Sequence, residues 1–216
     1  MTDSDFLTRD FLTRTRVFYD AIAEDYAERF RDSLAQTPVE RATFGLFAEL
    51  VGRGGAVADL GCGPGRVTGL LASLGLDVFG LDLSSSMLEI ARRENPDLLF
   101  VQGSMLELDV ADGSLAGAVS WYSSIHTPVD ELPSLFREFR RVLAPGGHLL
   151  LGFQVGDEPK RHDRPWGHDV VLDFQRRQPG MIGGLLETAG FELVSQTVRA
   201  PQNEEQVAQA FLIARA

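Results

Sequence analysis

The sequence predicts an α/β protein built on a mostly parallel sheet of seven strands, with helices on both faces and the last strand antiparallel. Three observations predict it. Short apolar runs alternate with stretches of helical periodicity, a turn at Val57 to Gly65 sets three glycines at every second position after one such run, and the chain closes on two strand-like runs in succession. Alternating runs fold into parallel strands covered by helices, and two runs in succession form an antiparallel pair at the sheet edge.

Taken in order, Phe11 to Leu34 carries Val17, Phe18, Ala21, Ile22, Tyr26 and Phe30 at helical spacing, and a second helix follows from Pro38 to Val51. These make a helical cap over residues 1–52, ahead of a core over 53–216. Strand Ala56 to Leu60 leads to helix Arg66 to Leu74, and strand Asp77 to Leu81 leads to helix Ser86 to Glu94. Ser86 and Glu89 are spaced as a capping box, and Pro96 ends that helix. Next come strand Leu98 to Gln102, strand Ala118 to Tyr122, helix Glu131 to Leu143 and strand His148 to Phe153. Gly156 to Pro179 lacks periodicity, as binding loops and lids do, and is expected to cover a bound substrate. Helix Met181 to Ala189, stopped by Gly190, precedes the final runs Phe191 to Val198 and Gln206 to Ala214. No repeat or low-complexity tract divides the 216 residues, so a single domain is expected.

Composition narrows the partners. With 31 acidic and 20 basic side chains the net charge is −11, which repels phosphate backbones and argues against nucleic acid. The dense basic stretch, Lys160-Arg161-His162-Asp163-Arg164 with Arg176-Arg177 beyond it, reads as a solvated loop. No apolar run is long enough for a membrane span, and Met1-Thr2-Asp3-Ser4-Asp5 lacks a signal peptide's basic start, so a cytoplasmic protein is expected. Cys62 is the only cysteine, which excludes an intrachain disulfide and a multi-cysteine zinc site. His162 and His168 lack the spacing of a metal pair, so no metal is expected.

The turn at Asp59-Leu60-Gly61-Cys62-Gly63-Pro64-Gly65 ends a strand where small molecules bind, and its glycines suggest close backbone approach to a ligand. A dinucleotide fingerprint has a G-x-G-x-x-G spacing; here the third glycine comes one residue early, and Asp59 stands where a pyrophosphate is unwelcome. A ligand carrying an amino group suits that acid better.

Here the chain resembles the class I S-adenosylmethionine-dependent methyltransferases of small-molecule type. Ala58 to Gly65 matches the family's Asp-x-Gly-x-Gly-x-Gly turn, Val78-Phe79-Gly80-Leu81-Asp82-Leu83-Ser84 matches its second strand, and Arg141-Val142-Leu143-Ala144-Pro145-Gly146-Gly147 matches the turn into its fifth. The resemblance runs from about Phe18 to the C-terminus and implies a Rossmann-like fold with S-adenosylmethionine as cofactor. It implies that Asp59, Gly61, Cys62, Gly63 and Gly65 surround the methionine end, that Asp82 takes both ribose hydroxyls, that Met87 lies against the adenine, and that Leu83 belongs to the cofactor site. Ser104 and Met105 stand where many members place an acid against the adenine amino group, and Leu115-Ala116 replaces a frequent Phe-Asp. Phe18 to Tyr26 resembles the helix with which such enzymes cover the cofactor, which nominates Tyr19 and Tyr26; core packing of the two tyrosines is the alternative.

The sequence Ser120-Trp121-Tyr122-Ser123-Ser124-Ile125-His126 follows the fourth strand, at the sheet edge where a methyl acceptor belongs. His126 is the candidate general base, since an unperturbed imidazole titrates near neutrality; a hydrogen-bonding or capping role is the alternative. Ser120 is assigned to the cofactor side, and Trp121, Tyr122 and Trp166 to the acceptor, with packing as the other reading of the first two aromatics. The expected function is methyl transfer to an oxygen or nitrogen of a small molecule. A noncatalytic cofactor-binding or regulatory protein, and a nicotinamide-dependent oxidoreductase, are the alternatives, and a homodimer is left open.

Overall fold

The computed structural model describes residues 3–34 and 37–216; Met1, Thr2, Ala35 and Gln36 of the expected cap lie outside the described residues. Two helices come first, α1 (Asp3–Phe30) and α2 (Pro38–Val51). The core then runs β1 (Ala56–Leu60), α3 (Arg66–Ser73), β2 (Asp77–Asp82), α4 (Ser85–Glu94), β3 (Leu99–Gln102), β4 (Leu115–Trp121), α5 (Leu132–Val142) and β5 (Leu143–Gln154). A hairpin, β6 (Lys160–Asp163) and β7 (Val171–Phe174), precedes α6 (Pro179–Thr188), β8 (Glu192–Arg199) and β9 (Gln209–Arg215).

The main sheet has seven strands in the order β3-β2-β1-β4-β5-β9-β8. Strands β1 to β5 pair in parallel, and β9 runs antiparallel to β5 and β8. The chain winds outward from β1 to β3, then crosses back to β4 on the other side of β1. That reversal leaves a crevice beyond the carboxyl ends of β1 and β4, where an open α/β sheet binds ligands.

Alternate residues feed two apolar layers. Leu149, Leu151 and Phe153 of β5 and Leu212 of β9 join Phe136 and Phe139 of α5 on one face. Leu150 of β5 and Phe211 and Ile213 of β9 join Phe44 and Phe47 of α2 and Leu71 of α3 on the other. Each such side chain, removed from water, stabilises the fold by about 1.5–3 kcal/mol. The sheet edge is fastened by Arg199 at the end of β8, which donates to Glu40 of α2 at 2.9 Å and to both Glu205 oxygens at 2.7 Å.

Three local expectations are corrected. The cap of α4 is Ser84, whose Oγ accepts from Met87 N–H at 3.1 Å, because the helix starts at Ser85 rather than at Ser86. Strand β5 begins at Leu143 rather than His148; Pro145-Gly146-Gly147 bulges without leaving the sheet, since Gly146 N–H donates to Ala216 O and Gly147 O accepts from Ala216 N–H. The stretch 156–179 contains a hairpin, in which Lys160 pairs with Phe174 and His162 with Leu172. Its strands are four residues each, too short for periodicity to register. Among the described residues, no helix is long and apolar enough to cross a membrane.

Candidate active site

The glycine turn sorts its three glycines by job. At Gly61, with φ +76°, an added Cβ would meet Ser123 Cβ at 2.3 Å, so the missing side chain admits the turn after β4. At Gly65 a Cβ would crowd Asn95, Phe100 and Ala91, so that glycine lets α3 pack on α4 and β3. Gly63, at φ +53°, has nothing within 4 Å of such a Cβ. Of the three, it alone presents bare backbone to open space.

Asp82, at the end of β2, holds that turn in place. Its Oδ2 accepts from Gly63 N–H at 2.8 Å and its Oδ1 from Ser84 N–H at 2.9 Å. Burial raises its pKa while the backbone donors oppose the rise. The carboxylate has about four lone-pair sites, and the backbone donors Gly63, Ser84 and Leu83 leave capacity for a ligand hydroxyl.

Helix α1 lies across the crevice, pinned where Asp20 Oδ1 accepts from Ser84 Oγ at 2.7 Å and from Ser86 N–H at 3.3 Å. It presents Tyr19, which stacks edge-on against Tyr26 at 5.7 Å and shares a 2.8 Å hydrogen bond between its hydroxyl and His126 Nε2. His126 closes a 3₁₀ turn, Ser124–His126, that follows β4. Tyr122, at φ 55°, makes the left-handed step into that turn while its N–H stays bonded to Gly152 O at 2.8 Å. A non-glycine residue held there costs on the order of 1–2 kcal/mol, a strain that the surrounding contacts maintain.

Together these residues enclose a cleft of about 740 Å³, mouth included. Gly61, Gly63, Asp82, Leu83, Met87, Met105, Tyr19, Tyr26, Trp121, Tyr122 and His126 from the sequence reading all line it. A second cavity, of about 1040 Å³ with its mouth, lies beyond His126; Phe11, Thr15 and His126 line both. The site therefore has two compartments that share a wall of Phe11, Thr15 and His126.

Other nominated residues sit elsewhere. Asp59 is turned beneath the turn, where its Oδ2 accepts from Thr68 Oγ1 at 2.7 Å; burial raises its pKa to about 7, and Oδ1 has no partner. Cys62 packs with Leu88, Ala91 and Phe100, and burial pushes its thiol well up. Ser104 Oγ accepts from Leu106 N–H inside its own turn, and Ser120 Oγ is hydrogen-bonded to Ser123 Oγ at 2.7 Å. Trp121 touches the cleft, but its ring is stacked on Phe211 at 4.9 Å and packed on Phe44, which is the packing reading of that residue. Trp166, at the hairpin tip, is 48% exposed and lines neither cavity.

The imidazole of His126 departs from the expected titration. Burial, with His162 nearby, lowers its pKa to about 3, so the ring is neutral at ordinary pH and its Nδ1 has no partner. It is not poised near neutrality as the unperturbed value suggests. Sequence reasoning missed Phe11, Leu12, Thr15 and Arg16 of α1 and, in the second cavity, Arg14 and Pro128 to Asp130; His126 and residues of the expected covering segment 156–179 do line that cavity. The helical period marks Phe11 as apolar but not which surface it faces.

Comparison with known proteins agrees with this architecture. Residues 57–147 match the family model described as a methyltransferase domain. A 37.1 kDa protein in a transposon of Streptomyces fradiae, itself uncharacterized, is 34% identical over 145 residues, covering 63% of this chain and 41% of that one. Demethylmenaquinone methyltransferase of Renibacterium salmoninarum is 36% identical over 98 residues, covering 45% of this chain and 40% of its own. The chain thus spans less than half the length of either relative. Among solved structures, a Burkholderia thailandensis 1,6-didemethyltoxoflavin-N1-methyltransferase, with bound 1,6-didemethyltoxoflavin and S-adenosylhomocysteine, superposes with a TM-score of 0.73 at 19% identity, over 96% of this chain and 89% of that one. The sheet order, the glycine turn with its paired Asp82 and the match over residues 57–147 agree: that stretch is similar to a methyltransferase domain, and the chain has the fold of the S-adenosylmethionine-dependent methyltransferases among solved structures.

Proposed function

We propose that the chain binds S-adenosylmethionine in the first compartment and transfers its methyl group to an oxygen or nitrogen of a small molecule held in the second. The observation that carries this reading is the pairing of a bare Gly63 backbone with an Asp82 carboxylate that lines the cleft and keeps hydrogen-bonding capacity beyond its backbone donors. Asp82 would hold the ribose hydroxyls, Leu83, Met87 and Met105 the adenine, and Gly61 and Gly63 the methionine end. When bound, the cofactor supplies a methyl group already made electrophilic by its sulfonium.

The protein's part is chiefly alignment, which can supply roughly 7 to 11 kcal/mol of the barrier. His126 stands where the compartments meet, with Tyr19 fixing its Nε2 and leaving Nδ1 unpartnered. A neutral imidazole orients an acceptor by hydrogen bonding and takes its proton only when the acceptor brings compensating negative charge. The helical cap and the hairpin act as walls of one catalytic domain. The net charge of −11 supports a small molecule over nucleic acid as the acceptor, and a cytoplasmic site of action is part of the same proposal.

Isothermal titration with S-adenosylmethionine and S-adenosylhomocysteine, with NADH and NADPH as controls, tests the reading. Binding of the first two alone is the expected result. Binding of only a nicotinamide cofactor, or of none of the four, overturns it.

A further inference from the structure

The basic stretch that reads in sequence as a solvated loop is folded against the second cavity. That cavity is lined by three guanidinium groups, Arg14, Arg161 and Arg177, and two carboxylates, Asp130 and Asp173. Two of the arginines have acids: Arg14 pairs with Asp10 at 3.0 Å and Arg161 lies 3.6 Å from Asp173. Arg177 does not. Among the described residues its guanidinium meets only neutral acceptors, Thr127 O at 2.9 Å, Gln175 Oε1 at 3.3 Å and Arg176 O at 3.4 Å, and its buried Nε has no partner.

A guanidinium taken partly out of water without a counter-ion is costly. In a chain with 31 acidic side chains, its lack of an acid is a feature of the site, not of composition. Backbone bonds fix its position: Arg177 N–H donates to Gln154 O at 3.0 Å, and Arg177 O accepts from Gly156 N–H at 3.4 Å. It therefore stands at the carboxyl end of β5, in the cavity that shares His126 with the cofactor cleft. Phe11, Pro128, Val129, Val171 and Leu172 supply apolar wall around it.

We propose that the methyl acceptor is a small-molecule carboxylate with an apolar body, its carboxylate seated on Arg177 and its body on the apolar wall beside His126. This rests on the methyl-transfer reading above. Arg14 is matched by Asp10 and Arg161 by Asp173, which leaves Arg177 as the lining cation without a bonded acid, and one monoanion would pair it. The planar guanidinium pairs with the two oxygens of a carboxylate. An anion there also supplies the negative charge that makes protonation of His126 less unfavourable.

Benzoate, with benzamide as its uncharged counterpart and benzyl phosphate as a dianion, probes the site by ligand-observed NMR on the full chain with and without S-adenosylhomocysteine. Benzoate is expected to bind about 10- to 100-fold more tightly than benzamide, a ratio set by one charge-assisted pair. Arg177→Gln is expected to erase that preference without changing S-adenosylhomocysteine affinity, and Arg177→Lys to retain part of it. Equal binding of benzoate and benzamide, binding of neither, or a preference that survives in Arg177→Gln overturns the proposal. Tighter binding of benzyl phosphate overturns the carboxylate assignment. The benzoate-to-benzamide comparison needs no variant, so a misfolded Arg177→Gln leaves the test intact. Benzoate preference without S-adenosylhomocysteine binding would remove the methyl-transfer reading, whereas the reverse pattern would remove only the carboxylate.

Discussion

Asp82 does two jobs, bracing the glycine turn and facing the cleft, and substitutions separate them. Asp82→Ala should weaken S-adenosylmethionine binding by about 2 to 4 kcal/mol, or about 30- to 1000-fold, by titration calorimetry. Asp82→Asn, which keeps the shape and one acceptor, should lose less. Two other buried groups oppose each other in their effect on stability. The unfolded state binds more protons at His126 between its folded pKa of about 3 and the usual 6.5, so this residue makes stability rise with pH. At Asp59 the folded state binds more protons between 3.8 and about 7, so this residue makes stability fall as pH rises through that window. Between about pH 4 and 6.5 the two slopes, each near 1.4 kcal/mol per pH unit, largely cancel. Denaturant titrations across that window should show stability climbing more steeply with pH in Asp59→Asn and less steeply, or falling, in His126→Gln, relative to the parent; identical slopes in all three proteins would refute both assignments. Asp82 was legible because its place at a strand end, after the glycine turn, fixes what it can reach. Asp59 faces Thr68 instead of the cleft, which strand spacing alone does not decide.

Elements with a strong apolar signal were easiest to read: α2, and β1 with its continuous buried run from Val57 to Leu60, fall on their expected bounds. The hairpin was missed because strands of four residues carrying Lys160, Arg161, His162 and Asp163 have no apolar face to announce them. Its pairing partner was invisible for the same reason. Arg177 was noticed in sequence as part of a charge run; that it has no acid became visible only when the hairpin and β5 came together. The joint between α2 and β8 makes an element-scale prediction. Glu40 and Arg199 have side chains only 8% and 4% exposed. Arg199→Met leaves Glu40 buried and unpaired, and should cost about 3–5 kcal/mol in urea denaturation. Adding Glu40→Met should restore much of that loss, since a buried pair and an apolar pair of similar volume differ little. If the double variant is no more stable than the single, the loss comes from Glu205 rather than from an orphaned Glu40.

On the scale of the molecule, the alternation of strands and helices and the antiparallel closing strand were legible from apolar runs set between helical stretches, whereas the strand order, which reverses beside β1, is carried by no local pattern. Of the second compartment only the covering segment over 156–179 was expected; the rest was not, because its wall is assembled from α1, the turn after β4 and the hairpin, segments far apart in the chain. The clamp of α1 on α4 through Asp20 and Ser84 couples cap and cleft. Hydrogen exchange should therefore slow around Tyr19 and Tyr26 when S-adenosylhomocysteine binds, with little change in β8, on the far edge of the sheet. Slowing confined to the glycine turn would mean that α1 takes no part in holding the cofactor.

The hairpin leaves and rejoins the sheet at a single place: Val155 bridges Arg177, and Arg177 N–H bonds back to Gln154 O. The twenty-one residues between that bridge's two ends are, for the sheet, a closed side branch. Doubling such a branch adds only about 0.6 kcal/mol of closure entropy. Changes of length within that branch therefore act on the hairpin and on its contacts with α1 and His126, while the β-sheet, the glycine turn and Asp82 stay as they are.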